Sequence, residues 1–185
     1  KITEISIFNF DGNKIIDEFT SLVNPEQKIP HFITNLTGIT EAMVRTAPKF
    51  YEIAKKVEEF TKDTIFVAHN VNFDYNIIRD EFKSLGFNFK RKKLCTVRLT
   101  RKIIPGLPSY SLGNICESEG IKIAARHRAK GDAEATVELF RRLIRRDTNF
   151  TINSFLNSRS REATLPPLVD KQVVDKLPET HGIYY

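Results

Sequence analysis

A strand hairpin at the head of the chain, followed by amphipathic helices alternating with short apolar runs, constrains this sequence more than any other feature. In ITEISIFNF, Ile5 and Ile7 alternate with Glu4 and Ser6, Asp11-Gly12 supplies a turn, and KIIDEFTSLV returns; this pattern predicts an antiparallel pair over residues 1–23. Asn24-Pro25 and Ile29-Pro30 predict a loop, and Pro48 opens a helix carrying Phe50, Ile53, Ala54, Val57 and Phe60 at helical spacing. TIFVA (64–68) reads as a buried strand, and a helix follows from Asn72 to its stop at Gly86. LCTV (94–97) predicts a strand leading into a short helix around Arg98–Ile104, and IKIA (121–124) a small extended piece. A helix is expected from Ser111 to Glu119, and the clearest one from Gly131-Asp132, with Ala133, Val137, Phe140 and Ile144 in one stripe beside Ala135, Leu139 and Leu143. Strands first, then alternating helices and strands, give an α/β layered fold.

At 185 residues, 41% hydrophobic and 28% charged, the chain has material for one domain with a short appendage. No apolar run approaches the ~20 residues of a membrane helix. A net charge of +6 favours polyanionic partners. Cys95 and Cys116 form neither a C-x-x-C pair nor a disulfide framework, which points to a reducing, cytoplasmic setting. The first residue is Lys1 and the sole methionine is Met43, so the expectation is that Lys1 is not a translational start. The expected organisation is a domain over 1–147, a helix and Pro166-Pro167 linker over 148–176, and a separate strand-like end over 177–185.

Three polar features stand at junctions between elements. In HNVNFD (69–74), Asp74 falls in the first helical turn after a strand, where the helix dipole favours a carboxylate and α/β folds bind ligands. In HRAKGDAEAT (127–136), His127 is suited to accept a proton and Asp132, five residues on, to offer oxygen to a divalent cation. In LTGIT (36–40), Gly38 permits a close backbone approach, while Leu36 and Ile39 offer apolar side chains to a nucleobase. Taken singly, each motif equally suits helix capping or loop anchoring.

In combination, the order TGIT, HN-x-x-FD, H-x-x-x-x-D, with PGLPSYSLGNIC (105–116) before the last, resembles the DEDDh (DnaQ-like) 3′–5′ exonucleases, the family of the proofreading epsilon subunit of bacterial DNA polymerase III. The resemblance covers roughly residues 1–146 and implies a ribonuclease-H-like fold, a mixed central sheet flanked by helices. It implies two divalent ions, magnesium or manganese, that bridge the 3′-terminal phosphodiester and stabilise the attacking and leaving oxygens. Asp74 and Asp132 match two of the family's acids and His127 its general base. Leu36, Thr37, Gly38 and Ile39 would meet the terminal nucleotide, Phe73 its sugar or base, and Asn70 would order the site. The implied substrate is a single-stranded 3′ end, DNA favoured, in repair or proofreading, with a polymerase as a possible partner.

The family's first motif, D-x-E-T-T-G, which supplies two more acids, is absent from the sequence. ITEISIF matches the strand after it, so the expectation is that a first strand lies upstream of Lys1 or comes from elsewhere. Taken literally, the chain should then catalyse poorly. LPETHGIYY (177–185) resembles the opening of a GIY-YIG nuclease domain. An RNA-directed exonuclease of the same family and a non-catalytic docking module are the alternatives. KRKK (90–93) reads as a solvated turn, RRLIRR (141–146) as an exposed arginine face, Arg126, Arg128 and Lys130 as phosphate contacts, and Tyr110 with Phe73 as stacking platforms.

Overall fold

The computed structural model describes residues 1–157, and within them the predicted hairpin is present as β1 (Glu4–Phe10) and β2 (Ile15–Leu22), paired antiparallel with Glu4 opposite Leu22. Asp11 closes the turn, its carboxylate accepting from the Asn13 and Lys14 N–H groups at 2.8 and 2.7 Å. The segment expected to be a loop instead holds two short helices, α1 (His31–Thr37) and α2 (Glu41–Val44). Gly38 ends α1 in the left-handed conformation, φ 72°, and the Thr40 side chain caps α2.

Next come α3 (Phe50–Thr61), β3 (Ile65–Ala68), α4 (Val71–Ser84) and β4 (Lys92–Cys95). Pro48 lies outside α3; Lys49 is the cap, and its N–H donates to Glu52 Oε2 at 2.7 Å. β4 starts and ends two residues before the LCTV run, because Thr96 opens the next helix, α5 (Thr96–Ile103). α6 (Leu112–Glu119) is capped by Ser111 and stopped by left-handed Gly120, as expected. IKIA forms no strand, and the long helix, α7 (Ala129–Arg146), starts two residues before Gly131. After Asp147, whose carboxylate caps Thr151 and Ile152 at 2.8 Å each, α8 (Thr151–Leu156) folds back to bury Phe155.

The class is mixed α/β, as expected, with the strands of the described residues in two separate pairs. β1 pairs with β2, β3 pairs with β4 in parallel, and no ladder joins the two sheets among the described residues. Two cores hold the layers together. One joins Ile5 of β1 to Ile53 and Val57 of α3 and Tyr75, Ile78 and Phe82 of α4, with Phe66 of β3 against it. The other gathers Leu94, Leu99, Ile115, Leu139, Leu143 and Phe155. On α7 the buried stripe is Ala135, Leu139 and Leu143, while Phe140 turns aside to meet Phe10 edge-on at 6.4 Å.

Candidate active site

The β3–α4 corner sets the first carboxylate. Asn70 occupies the left-handed region at φ 66°, which asparagine tolerates better than most residues. Its carbonyl accepts the Phe73 N–H at 2.9 Å, turning the chain sharply into α4 with Asp74 in the first turn. His69 braces this corner: Nδ1 meets Thr96 Oγ1 and Nε2 meets the Tyr110 carbonyl, each at 3.0 Å. Burial lowers the His69 pKa, so the ring is a neutral strut between β3, α5 and the chain before α6.

The second carboxylate, Asp132, lies in the first turn of α7. Glu4 fixes that helix start from β1. Its Oε1 accepts from Arg128 NH2 at 2.6 Å, and its Oε2 from Arg128 Nε at 3.1 Å and the Ala129 N–H at 2.7 Å. Burial alone would raise the Glu4 pKa, but the guanidinium and the N–H override it and the net direction is down. Glu4 is therefore a brace.

Asp74 and Asp132 face each other closely enough to interact. Crowding by surrounding protein, opposed by its own N–H and reinforced by repulsion from Asp132, pushes Asp74 up to about 6. The side chain still reaches solvent. Asp132 is raised too, by burial, although His127 and Arg126 pull it down and the His127 backbone N–H donates to it. Two first-turn carboxylates would ordinarily be favoured by ~0.3–1 kcal/mol each from the helix dipole; here crowding wins. His127 is exposed on a left-handed residue, φ 65°, beside Asp132.

These are hard oxygen donors of the kind a divalent cation takes, and a cation between them would relieve the repulsion. They fit part of one ion's shell. Among the described residues no group of three or more His, Cys, Asp or Glu side chains is placed to hold a metal, so a second ion needs further acids.

The remaining predicted residues divide. Leu36 and Phe73 are exposed at 51% and 66%, free to meet a ligand. Thr37 turns its hydroxyl back to the Ile33 carbonyl at 2.8 Å and accepts the Ile39 N–H at 3.1 Å. Ile39 is a correction: at 2% exposure it packs with Ile29 and Val44 and presents no face to a nucleotide. Tyr110 is also committed, its hydroxyl donating to the Ile104 carbonyl at 3.2 Å and its ring under Arg101. Arg128 is held by Glu4 and Lys130 by Glu18, while the Arg126 guanidinium lies against Gly113 and close enough to Asp132 to pull its pKa down. Arg141 and Arg142, expected on an exposed face, pair with Glu138, and Arg142 also reaches the Glu119 carbonyl.

Gly131 was not singled out for the site, and only its position beside Asp132 hinted at a role. A Cβ there would run into the Ala125 carbonyl. The absent side chain lets the loop carrying His127 lie on α7. Alanine has the better helix propensity by ~0.8–1 kcal/mol, so a net loss would isolate the clash. We expect Gly131→Ala to destabilise by about 1–3 kcal/mol, read by chemical denaturation, and to lower activity more than binding as His127 moves off Asp132. A variant of unchanged stability would show that the contact relaxes freely.

Comparison with known proteins agrees with this architecture. The family model described as "Exonuclease" (RNase_T) matches residues 1–140. The chain is 37% identical over 182 residues to a DNA polymerase III PolC-type from Caldanaerobacter subterraneus subsp. tengcongensis, covering 98% of this chain and 13% of that protein. It is 39% identical over 139 residues to the 3′-5′ exonuclease DinG of Staphylococcus aureus, covering 75% of this chain and 16% of DinG. The chain thus spans under a fifth of each of these relatives. Exonuclease X in complex with 5′ overhanging duplex DNA superposes with TM-score 0.66 at 25% identity, over 79% of this chain and 84% of that one. E. coli exonuclease I with a dT13 oligonucleotide superposes with TM-score 0.74 at 16% identity, over 88% and 41%. Residues 177–185 lie outside the described residues, and none of these similarities supports a GIY-YIG domain there. No helix among the described residues is long and apolar enough to cross a membrane. The hairpin, the two helix-borne carboxylates and the matched span together place this chain in the exonuclease (RNase_T) domain family.

Proposed function

We propose that the chain is the exonuclease portion of a metal-dependent 3′–5′ exonuclease that hydrolyses the terminal phosphodiester of DNA and releases nucleoside 5′-monophosphates, in replication proofreading or repair. The observation that carries this reading is the mutual approach of Asp74 and Asp132 with His127 beside them. Asp74 and Asp132 would hold divalent magnesium or manganese, which would activate water and offset charge on the departing oxygen. His127 takes the proton of the attacking water, and its exposure leaves the ring free to pass that proton to solvent. Phe73 and Leu36, both exposed, flank the terminal nucleotide. The polymerase relative supports a DNA substrate and a polymerase partner.

One observation favours a second reading, a non-catalytic docking module: fewer than three metal-binding side chains gather in one place among the described residues. In the exonuclease reading, further acids complete the ion shells that Asp74 and Asp132 begin. A 3′-labelled single-stranded oligonucleotide assay on the intact protein separates the two. Mononucleotide release with magnesium or manganese, abolished by EDTA, is expected; matched DNA and RNA strands should show faster loss of DNA. Absence of release under any divalent ion would leave the docking module.

A further inference from the structure

We propose that the basic segment 90–93 and the outer flank of α4 form a second nucleic-acid-binding surface, apart from the carboxylates, which holds the substrate strand away from its reacting end. This rests on the exonuclease reading above. The segment Gly86–Lys93 runs back along α4 from its end to its beginning. Near the end of the helix, Arg79, Lys83, Gly86, Phe87, Asn88 and Phe89 line an open depression of about 400 Å³. Phe87 is 66% exposed there. Near the beginning, Lys93 Nζ donates to Asn72 Oδ1 at 3.0 Å and lies over the Tyr75 ring. Between them, Arg91 lies over Phe89, 4.7 Å from the ring centroid. KRKK is therefore no solvated turn: its last two residues belong to β4, and Arg91 is tied to the Thr61 carbonyl at 2.6 Å.

Charge along this band is poorly balanced. Arg79 has the neighbouring Asp80 at 3.3 Å and Arg91 has Glu58 at 3.3 Å. Lys83, Lys90 and Lys92 have no ion pair among the described residues. Burial and repulsion from Arg79 push the Lys93 pKa down, as expected where cations crowd without counter-charge. Lys83 also complements the helix C-terminus, but that effect, ~0.3–1 kcal/mol, accounts for one lysine and neither the others nor Phe87. A cationic track with an exposed aromatic is what a single strand recognises, phosphates on the lysines and a base on the ring. An acidic protein surface would use the charge and leave Phe87 without a partner. The 14 residues of α4 give the track a length of about 21 Å, ending at Asn72, next to Phe73.

The test uses fluorescence anisotropy of the intact protein with a 5′-labelled oligo-dT long enough to pass the helix, in EDTA so that nothing is hydrolysed, alongside the hydrolysis rate of a dinucleotide in magnesium. The double variant Lys83→Glu, Lys90→Glu is expected to weaken oligo-dT binding about tenfold and to lower the salt slope by about 2, with the dinucleotide rate unchanged. Phe87→Ser should weaken binding with the salt slope unaltered. All three positions are exposed, so folding is not at issue. Unaltered oligo-dT affinity in both variants overturns the proposal and leaves solvent or an acidic protein as the occupant. Equal losses on the dinucleotide also overturn it, by placing the residues in the reacting site. Oligo-dT binding that depends on the band in a protein that hydrolyses nothing keeps the surface and rejects the exonuclease reading, so the two failures are distinguishable.

Discussion

Asp74→Asn is expected to remove exonuclease activity by about 10³-fold or more and, in the same variant, to make the metal-free protein more stable at neutral pH. The first effect follows from losing a metal-holding carboxylate, where the ion supplies several kcal/mol of transition-state charge stabilisation. The second follows from the same crowding that suits the site to a cation. Asp74 is raised from 3.8 to about 6 in the fold, and an acid raised on folding costs stability once it ionises. That cost is absent below the unfolded value, grows as pH rises from about 4, and is complete above about 6. Melting temperature against pH in EDTA should therefore show the variant pulling ahead of the native protein across that window, and magnesium should reverse the order. Glu4 works in the opposite sense. Its pKa is lowered from 4.5, so the brace it gives α7 is present at neutral pH and is lost as pH falls below that value. A variant that loses activity and stability together would show that Asp74 is an ordinary structural cap.

His127→Asn should lower the rate of the chemical step by about 10²–10⁴-fold, the range a general base contributes, while leaving manganese binding and melting temperature near native. Asparagine is chosen because the position is left-handed, φ 65°, where alanine would add strain and confuse loss of a base with loss of the loop. Equal rates for the two proteins would remove His127 from the chemistry. Together with Gly131→Ala, this series separates the base from the platform that holds it.

The parts of the fold fixed by short-range chemistry were legible in the sequence. The alternation around Ile5 and Ile7 with Asp11-Gly12 announced the hairpin, and Ser111 and Gly120 bracketed α6. Asp74 and Asp132 could be placed because each follows a recognisable break and precedes a strong apolar stripe. What could not be read were close approaches and inward turns. Gly131 looked like a helix start, because nothing local shows that the Ala125 carbonyl lies where a Cβ would be. Ile39 looked like a free wedge, since its burial is supplied by Ile29 and Val44, which flank the LTGIT motif without belonging to it. α1 was missed because seven residues with none buried leave no periodic stripe to detect. KRKK looked like a turn because charge masks strand character, and only the register with Ile65–Ala68 reveals Lys92 and Lys93 as strand residues.

The central claim is that Asp74, His127 and Asp132 share one cation pocket. Nuclear magnetic resonance during a manganese titration tests it most directly, because a paramagnetic ion broadens only nuclei near it. The signals of all three residues should broaden together at the lowest manganese additions, and Asp132→Asn should suppress the broadening at Asp74 and His127. Broadening that starts elsewhere, or that reaches Asp74 and Asp132 at clearly different manganese concentrations, would contradict a shared pocket.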